Sequence, residues 1–157
     1  MDLLSLWRRL SRRPGGRWLF TRLVCLKAPY FASIAPRLLQ LEPGKGVASL
    51  RQRRRVNNHL GGVHAIALCN LAEFVGGLTC EVSVPRAMRW IPQGMRVEYL
   101  KKATGTLVAS AQPLVALAEA GTGYLAPFQV QVEDGAGALV FRAEIAMWVS
   151  PKPAAGP

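Results

Sequence analysis

The chain has 157 residues, half of them hydrophobic and 18% charged, which suits one globular domain with a sizeable core and excludes a disordered chain. No apolar run approaches the roughly 20 residues needed to cross a bilayer. The formal charge of +11 points to an anionic partner such as phosphates, a lipid surface or nucleic acid.

That charge is concentrated at one end. Residues 1–55 hold 13 of the 20 Lys and Arg but only Asp2 and Glu42 of the acids, whereas the remainder is neutral. "MDLLSLWRRLSRR" spaces Leu3, Leu6, Trp7 and Leu10 as on a helix, "PGG" stops it, and "RWLFTRLVCLKAPYF" resumes the pattern. Two short amphipathic helices are expected over residues 1–34. They pack on the domain's own surface, or they meet an anionic membrane surface through Trp7, Trp18 and the arginines. Arg8, Arg9, Arg12, Arg13, Arg17 and Arg22 interrupt any secretory signal core, so a cytoplasmic protein is expected, with the basic extension able to hold it at a membrane periphery.

From Pro36 the texture changes. "RLLQLEPGKGVASLRQRRR" reads as two short strands joined at Pro43–Gly46. An apolar helix follows, predicted from about Gly61 to Gly77, with Asn57 or Asn58 available as N-cap and Gly76-Gly77 at its stop. Being apolar on nearly every side, it should be buried. After it the period becomes two. "MRVEYLKKA" and "GTLVASA" read as strands, and "FQVQVEDGAGALVFRAEIAMWV" reads as a hairpin about Asp134-Gly135. The expected fold is α+β, one long central helix wrapped by a curved antiparallel sheet over residues 35–150, with a flexible tail at 151–157. Cys25, Cys69 and Cys80 have no C-x-x-C spacing, so neither a disulfide framework nor a metal site is expected.

Within the apolar helix, "NNHLGGVHAIALCNLAEFVGG" carries His64 near its start and Glu73 in its middle. An unpaired buried carboxylate costs several kcal/mol, roughly 3–5 when a partner is lacking, so Glu73 has either a structural partner or a chemical task. Asn58 precedes His64 by six residues and His64 precedes Glu73 by nine. Nine helical residues turn about 900°, half a turn net, and rise about 13.5 Å. His64 and Glu73 of one chain therefore point opposite ways. Either they are unrelated core residues, or they meet between subunits.

The order of elements and the Asn58, His64, Glu73 spacing resemble the small acyl-CoA thioesterases of the hotdog superfamily, in the uncharacterised bacterial branch whose acidic residue is Glu. The likeness covers roughly residues 35–150. His64-Ala65-Ile66 stands where many of these enzymes have His-Gly-Gly, and Lys101 where a polar Ser or Thr often follows on the next strand. The resemblance implies a homodimer or homotetramer with sites shared between subunits, so that Glu73 is buried at an interface facing a substrate cleft. It implies no cofactor. Thioester hydrolysis would then use N–H groups at the helix start near Ala65 as oxyanion donors. Glu73 would act as general base or attacking carboxylate, Asn58 would position water or thioester, and His64 would orient the loop or polarise the carbonyl. Lys101 and Lys102 are either surface charges at a strand end or contacts for coenzyme A phosphates. The alternatives are a non-catalytic acyl-CoA-binding hotdog protein, and a membrane-surface or nucleic-acid-binding protein acting through the basic N-terminal region.

Overall fold

Alternation of residue type along the chain builds one antiparallel sheet. In the computed structural model, which describes residues 2–153, the strands are β1 (Arg37–Glu42), β2 (Lys45–Arg51), β3 (Met88–Tyr99), β4 (Thr106–Pro113), β5 (Tyr124–Glu133) and β6 (Leu139–Pro151). Their spatial order is β1-β2-β4-β5-β6-β3, every pair antiparallel. The inward positions on β5 and β6 are Ala126, Phe128, Val130 and Val132, and Ala143, Ile145, Met147 and Val149, all buried. Both predicted hairpins form. Gly44, with φ 81°, turns β1 into β2, and Asp134 Oδ1 accepts from the N–H groups of Ala136 and Ala138 to close β5 on β6.

Helix α3 (Ala65–Ser83) is the central helix and packs against every strand, which is the hotdog arrangement. Leu68, Leu71, Ala72, Phe74 and Val75 are buried on it. By length and composition alone α3 could cross a bilayer, contrary to the expectation from apolar runs, but about two thirds of it is buried within the protein. It begins four residues later and ends six residues later than predicted. His64, not an asparagine, is its N-cap. Gly76-Gly77 do not stop it; they let strands approach. A Cβ on Gly76 would lie 2.8 Å from Ile145 Cδ1, and one on Gly77 3.1 Å from Trp90 Cη2.

The N-terminal helices form as α1 (Leu3–Ser11) and α2 (Gly16–Lys27), followed by a 3-10 turn, Pro29–Ser33. Asp2 caps α1 by accepting from the Ser5 N–H at 2.7 Å. Trp7 is only 6% exposed and meets Phe20 edge-on at 5.1 Å, and both belong to the main core. Trp7 is therefore unavailable to a membrane, whereas Trp18 is 60% exposed. Strand β3 starts seven residues before the predicted one and ends at Tyr99, so Lys101 and Lys102 lie in the loop beyond it. At the other end β6 runs through Pro151, and Lys152 donates from its N–H to Ala87 O and from Nζ to Arg86 O. The ordered chain thus continues past the predicted boundary at 150. The rest of the predicted tail, 154–157, falls outside the described residues.

Candidate functional site at the start of the central helix

The segment 57–64 is a self-bonded loop that presents the start of α3. Asn57 and Val63 form an isolated antiparallel bridge, and the His64 N–H donates to Val56 O at 2.8 Å. Asn58 Oδ1 accepts from the N–H groups of Leu60 and Gly62, both at 3.0 Å. Its carbonyl oxygen is thus engaged in shaping the loop, and its amide nitrogen is the group left for other work. Gln52 ties the loop to the start of β4, donating to Gly61 O and accepting from the Gly105 N–H.

At the helix start, His64 Nδ1 accepts from the Ile66 N–H at 3.1 Å, and His64 O accepts from Ala67 and Leu68. That geometry requires Nδ1 to be unprotonated and leaves Nε2 pointing away from the cap. The first four N–H groups of a helix lack intrahelical partners. Here three of them are satisfied, and the Ala65 N–H has no hydrogen-bond partner among the described residues. A helix start favours negative charge, so this donor suits an anionic oxygen.

Lys102 extends over the same loop. Its Nζ lies 3.9 Å from where a Cβ on Gly61 would stand, and its stem lies within 3.4 Å of one on Gly62. Lys102 is thereby brought to the motif from its loop. Lys101 is exposed beside it, its N–H on Val140 O.

The expected burial of Glu73 is at a subunit interface, not within one chain. The residue is exposed in the single chain, on the side of α3 that faces the open flank of β3. Three contacts fix this face. Cys69 Sγ is 3.2 Å from Tyr99 Oη, Gly77 abuts Trp90, and Glu81 accepts from Trp90 Nε1 at 2.7 Å. Glu73 sits between these contacts in sequence, one turn beyond Cys69. The hydrogen bond with Cys69, followed by burial, pushes the Tyr99 hydroxyl up to about 12, so it stays neutral at physiological pH. Strand β3 is the sheet edge, and among the described residues its backbone has no strand neighbour on the outer side. No ion pair engages Glu73 among the described residues.

A cavity of about 330 Å³ opens beside the helix start, lined by Tyr30, Ser33, Arg55, Asn57, His64 and Asn70 among others. It includes His64 but not Asn58, Glu73, Lys101 or Lys102. His64 thus borders this cavity, and Glu73 does not.

Sequence reasoning missed Asn70, which is 5% exposed, donates from Nδ2 to Ser33 Oγ at 3.1 Å, and has no partner for Oδ1 among the described residues. An amide inside an apolar helix was the available signal, since burying a polar group without a bond costs about 1–3 kcal/mol. Tyr30 and Ser33 reach the cavity from the N-terminal extension, a placement no local pattern announces.

A family model with the description "Domain of unknown function (DUF4442)" matches residues 16–149. The crystal structure of a genomics target is 39% identical, with a TM-score of 0.81, covering 96% of this chain and 98% of that one. A Pseudomonas aeruginosa protein of unknown function, described as a probable thioesterase, is 22% identical with a TM-score of 0.70, covering 84% and 93%. A Streptococcus mutans protein bound to acetyl CoA is 19% identical with a TM-score of 0.62, covering 73% and 88%. Among curated proteins none matches.

Proposed function

For a chain that belongs to the DUF4442 family and has the hotdog fold, we propose hydrolysis of acyl-CoA-type thioesters at a site completed between two subunits. The observation that carries this reading is the unpartnered Ala65 N–H at the start of α3. It can receive the thioester oxygen as it becomes anionic, in the field of the helix dipole. The fold's likeness to a probable thioesterase and to an acetyl-CoA complex supports the substrate class.

The second subunit supplies the base. Pairing of two β3 edges would continue one sheet into the next and bring the exposed Glu73 face of one chain toward the helix start of the other. Glu73 then activates water or attacks the thioester carbon directly. In the hydrolytic version, water adds to the carbonyl carbon and Glu73 takes its proton. Collapse of the tetrahedral intermediate breaks the carbon–sulfur bond, and Glu73 returns its proton to the departing sulfur, releasing the carboxylic acid and the thiol. Asn58 Nδ2 positions water or thioester, and His64 holds the loop and offers Nε2 outward. Lys101 and Lys102, with Arg53, Arg54 and Arg55 exposed nearby in sequence, hold the coenzyme A phosphates.

The test is acyl-CoA hydrolysis by wild type and Glu73→Gln. The variant keeps size and hydrogen bonding but removes the base, so turnover falls at least about 100-fold while acyl-CoA still binds. Unchanged turnover in Glu73→Gln overturns the catalytic role. Binding without hydrolysis in the wild type would make the protein an acyl-CoA binder.

A further inference from the structure

Helix α2 is apolar on two sides. Its inner face sends Phe20, Thr21 and Cys25 into the interior. Its outer face carries Leu19, Leu23 and Leu26, with Tyr30 following in the 3-10 turn, and all four are exposed, Leu26 at 78% and Tyr30 at 70%. Steps of four and three residues make the leucines one stripe along the helix. Trp18 borders it, with the Arg22 guanidinium 5.9 Å from the ring centroid. Scattered exposed apolar residues are ordinary, but a contiguous set on one helix face marks a surface that meets something.

Charge selects what it meets. Arg8, Arg9, Arg12, Arg13, Arg17, Arg22 and Lys27 are all exposed on or beside α1 and α2. The only acid before Glu42 is Asp2, which is engaged by the Ser5 N–H and by Arg86 at 3.3 Å. A second copy docked through the same face would set these cations against their own duplicates, which opposes self-association there. Helix α2 packs against β1, at the opposite end of the sheet order from β3, so pairing of β3 edges leaves it uncovered. An anionic bilayer matches both features: leucines enter the headgroup boundary, Trp18 and Tyr30 sit at the interface, and the arginines meet lipid phosphates.

We propose that the outer face of α2 is a docking surface for an anionic lipid bilayer. Tyr30 belongs both to this surface and to the wall of the cavity at the start of α3. Docking therefore brings that cavity to the lipid boundary, where long-chain acyl thioesters are concentrated. This last consequence rests on the thioester reading; the docking itself does not.

The experiment is co-sedimentation of the full chain with phosphatidylcholine vesicles, with and without phosphatidylglycerol, alongside hydrolysis of a short, soluble acyl-CoA. Wild type binds the anionic vesicles, binds neutral ones weakly, and is released by salt. Leu23→Glu with Leu26→Glu, at positions already exposed, lowers vesicle partitioning at least about tenfold while melting temperature and soluble turnover stay unchanged. Failure of wild type to bind anionic vesicles at low salt overturns the proposal, as does undiminished binding by the double variant. A change of molecular mass in the double variant also overturns it, by making the stripe a subunit contact. Vesicle binding without any hydrolysis upholds the docking and sinks the thioester reading instead.

Discussion

The imidazole of His64 accepts the Ile66 N–H at 3.1 Å, and the N–H of Ala65, between them in sequence, is left without a partner among the described residues. The cap and the free donor are one arrangement, because the side chain that ends the helix passes over the first N–H to reach the second. Stability and turnover should therefore separate on substitution. His64→Asn can still cap, so it should melt within a few degrees of wild type, whereas His64→Ala should lose about 0.5–2 kcal/mol. If Nε2 contributes to the reaction, both lose turnover. Denaturant titration and steady-state kinetics on the pair distinguish the two roles.

Glu73 and His64 lie on different sides of one helix, so their cooperation needs a second chain. The protein should sediment and scatter light as a dimer or larger at micromolar concentration. Mixing Glu73→Gln with His64→Ala should restore part of the activity, since one of the two sites in a heterodimer retains both residues. An active monomer, or no rescue in verified heterodimers, removes the shared site.

Trp7 is buried against Phe20 in the same core that holds α3. Trp7→Ala should cost about 3–5 kcal/mol. Trp18→Ala, on the outer side of α2, should stay within about 0.5 kcal/mol. Equilibrium urea unfolding monitored by circular dichroism measures both, and a small effect at Trp7 would mean that α1 contributes little to the fold.

The three thiols should react at different rates. Burial pushes Cys80 up to about 12 and raises Cys25 above the usual thiol range, which suppresses the reactive thiolate. Cys69 is half-buried, beside Tyr99 on the Glu73 face. At pH 8 the native protein should show one fast thiol, lost in Cys69→Ser, and two that label only on unfolding. Acyl-CoA should slow the fast one if substrate covers that face.

Much of this molecule was legible from local pattern. Period-two runs such as "FQVQVE" and the Pro43-Gly44 and Asp134-Gly135 turns prescribe paired strands, because alternation and turn chemistry are properties of a few consecutive residues. The mostly apolar character of residues 65–80 prescribes a covered helix for the same reason. The spacing from His64 to Glu73 also sets the two side chains about half a turn apart, since helical rotation is a fixed angle per residue. The extent of α3 was not legible: Gly76-Gly77 look like a stop, but Ile145 and Trp90 from distant strands occupy the space a Cβ would need. Nor was Glu73's exposure, because it depends on β3 lying at the sheet edge and leaving that flank of the helix open. Tyr30 and Ser33 meet Asn70 across about forty residues of chain. Local propensities are blind at that range, and only the packing of the N-terminal extension beside α3 decides which side chains surround the cavity.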